Sequence, residues 1–274
     1  MALDWTDGAT GHLSVDGVAL EYRCIGPGPD TAPTLILLHE GLGCVALWRD
    51  FPDRLAQATG WGVFAYSRAG YGQSDPTPLP RPLDYMTREA VGVLPQVLDA
   101  IGLHRGVLMG HSDGATIAAI HAGSVQDQRV RGLILMAPHF FTEDMGLREI
   151  ARAKEAFETS DLSDKMARYH RDPDQTFRGW NDVWLNPGFQ SWDVSEVIDY
   201  LRVPVLALQG REDQYGTLAQ IDEIAQRSYA PVDVEILDAC RHAPHQDQPE
   251  KVLTLVQEFT ARLKRIEAAA PDAA

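Results

Sequence analysis

Short apolar runs alternate with amphipathic stretches along most of the chain. Runs of consecutive apolar residues are typical of strands covered on both faces, and apolar positions at helical spacing predict the helices that cover them. The runs predict strands at 34–38, 62–66, 106–109, 130–136, 203–208 and 232–237, and the stretches between them predict helices at 45–58, 84–101, 113–123, 217–228 and 249–266. Because such strands are joined by right-handed crossovers, we predict an α/β fold with a mostly parallel, doubly wound sheet.

The alternation breaks between Pro138 and Leu201. Helical patterns at 147–157 and 162–170 are followed by an aromatic-rich stretch. A long segment that leaves the carboxyl end of one strand and returns at the next lies above the sheet. We therefore expect 138–200 to form a helical cap inserted after the sixth strand, above a core made of residues 1–137 and 201–266.

Both ends of the chain carry simpler signals. Residues 12–23 alternate apolar and polar positions around Asp16-Gly17, which predicts a hairpin of two short antiparallel strands at the edge of the sheet. The last residues, 267–274, are rich in alanine and include a proline, so we expect a frayed tail. The first seven residues are acidic and do not have the basic-then-apolar order of a signal peptide.

The composition indicates the cellular compartment of the protein and the kinds of partner that it can bind. Of 274 residues 45% are hydrophobic, which is enough for a large core, and the net charge is −15. A charge of this sign repels nucleic acids and anionic membranes, so we expect a small-molecule substrate and no nucleic-acid or membrane partner. Cys24, Cys44 and Cys240 have neither disulfide nor zinc spacing. We expect a cytoplasmic protein that is a monomer or a homodimer.

A serine lies at a tight predicted turn between a strand and a helix. The pentapeptide Gly110-His111-Ser112-Asp113-Gly114 follows the run 106–109 and precedes a run of small residues at helical spacing. Glycines two residues on either side of Ser112 leave room for a sharp turn that exposes the hydroxyl above the sheet. Because open α/β sheets bind ligands at the carboxyl ends of their strands, Ser112 is the candidate nucleophile.

A serine nucleophile needs a histidine base that a carboxylate holds in one tautomer. Asp213 follows the strand 203–208 and a glycine, and the order of elements favours it as this carboxylate, with Glu212 as the alternative. Two histidines compete after the strand 232–237. We favour His242, which is nearer the strand end, over His245, which opens toward the last helix as a packing or capping residue.

The negative charge that develops on a substrate carbonyl needs fixed N–H donors. Asp113 supplies one from the start of its helix, and its carboxylate is expected to point away from the oxyanion. The second donor is expected in the loop 39–43, where we assign Gly41, with Leu42 as the alternative. We also expect a substrate pocket above Ser112. Glu40 and Leu42 would border it, His139 would line it on the sheet side, and Trp180 and Trp184 would close it on the cap side.

These motifs resemble those of the α/β-hydrolase fold superfamily, in its subgroup with a helical cap. Five segments are similar to motifs of this superfamily. They are 39–43 to its oxyanion loop, 67–74 to its Arg-x-Gly-x-Gly-x-Ser turn, 110–114 to its nucleophile elbow, 210–213 to its acid loop and 241–245 to its terminal Gly-His-x-Pro segment. The resemblance covers nearly the whole chain and implies the catalytic order Ser112, Asp213, His242. Three positions depart from it: Glu40 and Arg241 stand where glycine is usual, and Asp113 stands where an uncharged residue is usual.

The pattern as a whole predicts a serine hydrolase. It would cleave a small apolar or aromatic ester, lactone or thioester through an acyl-enzyme, with no metal and no cofactor. One alternative is hydrolysis of a carbon–carbon bond in a ring-cleavage product, for which Arg178 and Arg211 are candidate binding residues for a substrate carboxylate. Another is a non-catalytic ligand receptor built on the same pocket, although the sequence offers no partner-docking motif.

Overall fold

An eight-stranded sheet forms the centre of the molecule, of which the computed structural model describes residues 3–269. The strands are β1 Thr10–Val15, β2 Val18–Ile25, β3 Thr34–Leu38, β4 Gly62–Tyr66, β5 Gly106–His111, β6 Val130–Met136, β7 Val205–Gly210 and β8 Val232–Leu237. Their spatial order is β1-β2-β4-β3-β5-β6-β7-β8. β1 and β2 are antiparallel, β2 runs antiparallel to β4, and the pairs from β4 to β8 are parallel. The predicted α/β class and mostly parallel sheet are confirmed.

Helices cover both faces of the sheet. They are α1 Phe51–Thr59, α2 Tyr85–Arg88, α3 Leu94–Ala100, α4 Asp113–Ser124, α5 Asp144–Thr159, α6 Leu162–Met166, α7 Pro173–Trp184, α8 Ala219–Arg227, α9 Pro244–Asp247 and α10 Pro249–Ala269. Leu35 and Leu37 of β3 pack with α1 and α10 on one face. Ile36 and Leu38 point the other way and pack with α3 and α4. Because successive strand residues face opposite sides, an unbroken apolar run is what a doubly covered strand requires.

The predicted hairpin is present at the sheet edge. Asp16 and Gly17 connect β1 to β2 with φ angles of 50° and 80°. Positive φ at both central residues gives the turn the twist that suits two antiparallel strands, and aspartate and glycine tolerate it better than other residues.

Two predicted helices are interrupted. The stretch 45–58 is divided into a 3₁₀ turn at Val45–Trp48 and α1, because Arg49 between them has a φ of 55°. The stretch 84–101 contains a π-helical turn at Glu89–Val93, between α2 and α3. Pro95 follows this turn and has no N–H to donate to a carbonyl four residues earlier, so the regular helical ladder is broken there.

The C-terminal helix is longer than predicted. α10 continues to Ala269, so the expectation of a frayed tail from residue 267 is wrong for residues 267–269, and residues 270–274 lie outside the described part of the chain. No helix in residues 3–269 has both the length and the apolar character needed to cross a membrane.

The segment between β6 and β7 is helical and faces the carboxyl edge of the sheet. It contains α5 and α6, close to the predicted helical patterns, and α7, which the sequence analysis described only as an aromatic-rich stretch. α7 begins with two standard start signals: the Asp172 side chain accepts a hydrogen bond from the Gln175 N–H, and Pro173 is the first helical residue. Three of the aromatic residues of this stretch, Phe177, Trp180 and Trp184, lie on the buried face of this helix.

Candidate active site

Ser112 lies in the turn between β5 and α4. Its φ of 52° and ψ of −120° are outside the regions that serine favours, as expected for a strained strand–turn–helix connection. A Cβ atom at Gly110 would overlap the carbonyl of Gly114, and one at Gly114 would overlap the carbonyl of Leu38. Glycine at both positions is therefore what allows the turn to be this tight.

His242 and Asp213 are hydrogen-bonded to each other. His242 Nδ1 is 2.9 Å from Asp213 Oδ1 and 2.8 Å from Oδ2. A carboxylate only accepts hydrogen bonds, so Nδ1 carries the proton and Nε2 is left as an acceptor. Gln209 Nε2 and the Tyr215 N–H, each at 2.8 Å, also donate to the Asp213 carboxylate and hold it in place.

The contacts of Asp213 keep it ionised. Burial acts to raise the pKa of this carboxyl, but the hydrogen bond and charge of His242 and the hydrogen bond from the Tyr215 N–H outweigh burial, and the pKa is lowered. An ionised Asp213 can hold His242 in one tautomer and stabilise the imidazolium that forms when His242 takes up a proton.

The two alternatives to this pair lie in different surroundings. The side chain of Glu212 is exposed. The His245 ring packs against Trp48 and Phe51, with ring centroids 4.9 and 5.5 Å away, and burial lowers its pKa to about 3. His245 is therefore a neutral packing residue.

Ser112 and His242 line the same cavity, which has a volume of about 100 Å³. The residues predicted for the site border it as well: Glu40, Gly41, Leu42, Asp113, His139, Trp180 and Trp184. Ile150 of α5 and Tyr215 also line it and were not predicted.

Tyr215 follows Asp213 by two residues and its ring lies 4.8 Å from that of His242, so its position in the acid loop was a usable signal. Ile150 has no signal beyond the helical spacing that every inward-facing residue shares.

Three backbone N–H groups of cavity-lining residues are free to donate a hydrogen bond. Among residues 3–269, neither the Gly41 N–H nor the Asp113 N–H donates a hydrogen bond to a protein acceptor, and the same is true of Leu42. The loop that carries Gly41 and Leu42 is clamped by Arg68, whose guanidinium donates to the carbonyl oxygens of His39 and Glu40 at 2.5 and 3.0 Å.

The Asp113 side chain is directed toward α2. Its Oδ2 accepts a 2.5 Å hydrogen bond from the Tyr85 hydroxyl, which in turn accepts one from Trp184 Nε1 at 3.1 Å. Arg68 Nη2 is 4.0 Å from the same oxygen. Burial raises the pKa of Asp113, and Arg68 and Tyr85 oppose this only in part.

Glu40 has a different partner. Its Oε2 lies 3.5 Å from His111 Nδ1, and its side chain is 24% exposed. Burial acts to raise the pKa of Glu40, but the contact with His111 outweighs it, and the pKa is lowered. Each unusual acid near Ser112 is thus placed beside a basic side chain of its own, His111 for Glu40 and Arg68 for Asp113.

His139 lines the cavity and has unpartnered ring nitrogens. Its ring is 5.4 Å from that of Trp184 and 5.6 Å from that of His242. Within residues 3–269, neither ring nitrogen has a hydrogen-bond partner. Burial lowers the pKa of His139 to about 3, so the ring is neutral and can both donate to and accept from a ligand.

The arginines proposed to bind a substrate carboxylate do not reach the cavity. Arg178 pairs with Asp174 at 2.9 Å and Arg211 with Asp238 at 2.5 Å, and the arginine side chains are 53% and 55% exposed. None of the described residues that line the cavity is a lysine or an arginine. Within residues 3–269, no group of three or more His, Cys, Asp or Glu side chains is arranged to hold a metal ion.

Comparison with known proteins places this geometry in context. The profile of a family described as "Alpha/beta hydrolase family" matches residues 35–255. Epoxide hydrolase 3 of Xenopus tropicalis is 22% identical, over 92% of this chain and 78% of its own. A proline iminopeptidase of Lactobacillus helveticus (strain DPC 4571) is also 22% identical, over 91% of this chain and 96% of its own. The crystal structure of the enol-lactonase from Burkholderia xenovorans LB400 superposes with a TM-score of 0.73 at 18% identity, over 92% of this chain and 100% of its own.

Proposed function

Since the chain belongs to the alpha/beta hydrolase family, we propose that it is a serine hydrolase that cleaves a small carboxylic ester, lactone or thioester. The observation that carries the proposal is the hydrogen-bonded pair of His242 and Asp213, which borders the same cavity as the strained Ser112. A serine hydroxyl is a weak nucleophile, and an imidazole with a free Nε2 acceptor is the group that activates it.

The reaction follows from these positions. His242 Nε2 takes the Ser112 proton as Oγ adds to the substrate carbonyl, and Asp213 stabilises the imidazolium. The N–H groups of Gly41 and Asp113 bind the oxyanion. His242 then protonates the leaving group, and the acyl-enzyme is hydrolysed by water that His242 activates in the same way.

Among hydrolytic reactions, acyl transfer suits a serine nucleophile best. Attack of Ser112 on an epoxide would give an ether, which has no carbonyl for water to attack, so the enzyme would not turn over. The carbon–carbon bond alternative has lost the support of Arg178 and Arg211, which lie outside the cavity. The cavity, at about 100 Å³, is smaller than the roughly 300–1,000 Å³ of pockets for drug-sized ligands, which favours a small acyl group.

A fluorophosphonate probe tests the nucleophile. Labelling is expected at Ser112, and Ser112→Ala is expected to lose both labelling and ester hydrolysis. Ser160→Ala, at an exposed serine on the cap, is the matched control and should retain both. Active protein that is not labelled at Ser112, or a Ser112→Ala variant with full activity, would contradict the proposal.

A substrate panel tests the reaction class. Aryl esters, lactones and acyl thioesters with short acyl chains are compared with a vinylogous 1,5-diketone acid at equal concentration. Turnover of the first group, decreasing as the acyl chain lengthens, is expected. Turnover of the diketone acid alone would replace the proposal with the carbon–carbon bond alternative.

A further inference from the structure

One imidazole connects three of the four loops that carry the proposed catalytic groups. His111 is the last residue of β5, immediately before Ser112, and it is 2% exposed. His111 Nε2 is 2.7 Å from the carbonyl oxygen of His242. His111 Nδ1 is 3.5 Å from Oε2 of Glu40. The ring therefore contacts the base loop and the oxyanion loop while its backbone leads into the nucleophile turn.

The contact with His242 fixes one proton on the ring. A carbonyl oxygen only accepts hydrogen bonds, so Nε2 of His111 must carry a proton and donate it. The second nitrogen, Nδ1, faces a carboxylate across 3.5 Å. If Nδ1 is also protonated, the ring is an imidazolium paired with Glu40; if it is not, a lone pair faces the carboxylate.

Glu40 needs a compensating charge because of where it lies. It immediately precedes Gly41, whose N–H is a proposed oxyanion donor. Among residues 3–269, His111 is the one basic side chain within salt-bridge distance of the Glu40 carboxylate, and no side chain or backbone N–H donates a hydrogen bond to it. An uncompensated carboxylate beside Gly41 would repel the negative charge that develops on the substrate carbonyl.

We propose that His111 is a positioning residue that acts as an imidazolium, neutralising Glu40 beside the oxyanion site while its Nε2–H holds the base loop through the His242 carbonyl. This inference rests on the proposed serine-hydrolase function. It also explains how the chain tolerates an acid where the resemblance expects glycine: the Glu40–His111 pair has no net charge.

The surroundings of His111 support the charged form. The titratable groups that face its ring, from the loops after β3, β6, β7 and β8, are Glu40, His139, Asp213, His242 and His245. Glu40 and Asp213 have lowered pKa values and are anionic, and burial lowers the pKa values of His139 and His245 to about 3, which leaves them neutral. Burial acts to lower the pKa of His111 itself, but the contact with Glu40 and the bond to the His242 carbonyl outweigh it, and the pKa is raised.

Ester hydrolysis is expected to depend on the charge of His111. His111 is protonated below its pKa and loses its charge as the pH rises through that raised pKa, which leaves Glu40 negative and unpaired. Ester turnover is therefore expected to fall on the alkaline side with a transition that belongs to His111 and depends on Glu40.

A double-mutant cycle tests the charge pair. His111→Gln retains a donor toward the His242 carbonyl but removes the charge, and Glu40→Gln removes the acid without changing its size. We expect His111→Gln to lower kcat/KM about ten- to hundredfold, within the range seen for coupled contacting groups, and His111→Gln with Glu40→Gln to recover most of that loss. Glu40→Gln alone should lose the alkaline transition, which is read from the shape of its pH profile relative to its own maximal turnover. A double variant as slow as His111→Gln would overturn the proposal, because a purely structural role is not rescued by removing a charge.

An experiment without turnover separates this inference from the proposed function. The imidazole nitrogens of His111 are followed by NMR against pH in the Ser112→Ala protein and in Ser112→Ala with Glu40→Gln. The His111 titration is expected to move to lower pH when Glu40 is neutral, and an unchanged titration would overturn the ion pair. If the protein hydrolyses no ester, the proposed function fails and this measurement still decides the pair.

Discussion

The indole ring of Trp180, on helix α7, lies directly against Gly41 of the oxyanion loop. A Cβ atom built at Gly41 would overlap Nε1 and Cδ1 of that indole. The cap and a proposed oxyanion donor are therefore in contact with no space for a methyl group between them. The close packing implies that the position of Gly41 depends on the cap, and that the residue must be glycine for a reason of space.

Gly41→Ala is expected to lower kcat/KM because the added methyl must displace either Trp180 or the loop. Loss of one oxyanion donor costs about 3–4 kcal/mol of transition-state stabilisation, so a decrease of roughly 10²- to 10³-fold is expected if the N–H moves out of reach. Ester hydrolysis measures the change. Gly92→Ala is the control, since a Cβ atom there meets no atom within 4 Å. Equal effects of the two substitutions would show that the contact with Trp180 does not matter.

Asp213→Asn is expected to lower kcat about 10⁴-fold, because an amide cannot hold the His242 tautomer and stabilise its imidazolium as a carboxylate does. Glu212→Gln removes the neighbouring, exposed carboxylate and should leave kcat unchanged. Steady-state kinetics on an aryl ester measures both variants. A large loss in Glu212→Gln with little in Asp213→Asn would reverse the assignment of the acid.

The strand pattern was predictable because each parallel strand is buried on both faces. The run 34–38 coincides with β3, all five of whose residues are buried, and 62–66 and 130–136 coincide with β4 and β6. Parallel strands bring their carboxyl ends to one edge, so loops far apart in sequence were expected to meet there. The pairing of His242 with Asp213 is a contact that this reasoning led us to expect.

Other features depend on contacts that no local pattern carries. The partner of the Asp113 carboxylate is Tyr85, 28 residues earlier and on another helix, and nothing around either residue indicates the pairing. The contact between Glu40 and His111 joins residues that are still farther apart in the sequence. Helix α7 is a different case, because Asp172 and Pro173 mark a helix start and the helix was predictable from the local sequence.

Tyr85→Phe is expected to destabilise the protein, because the buried Asp113 carboxylate and Trp184 Nε1 both lose their hydrogen-bond partner. Leaving buried polar groups unsatisfied costs about 1–3 kcal/mol each, and more when the group is charged. The free energy of unfolding from urea titration measures the loss. Tyr229→Phe is the matched control, since Tyr229 is 86% exposed and its loss of a hydroxyl should change stability little. An unchanged free energy of unfolding in Tyr85→Phe would mean that the hydrogen bonds do not stabilise the fold.

His245 is expected to make the free energy of unfolding depend on pH below neutrality, independently of catalysis. Burial lowers the pKa of this histidine from its usual 6.5 to about 3, so between these values the unfolded chain binds a proton that the folded protein does not. Stability is therefore expected to fall as the pH drops from about 6.5 toward 3, by at most roughly 5 kcal/mol from this residue. His245→Phe keeps a ring against Trp48 and Phe51 without a titrating group, and it should flatten the decrease in the free energy of unfolding over this range. His104→Gln, at an exposed histidine, should leave the decrease as it is. If His245→Phe shows the same loss of stability between pH 6.5 and 3 as the unmodified chain, the neutral, buried state of His245 is not a cause of acid sensitivity.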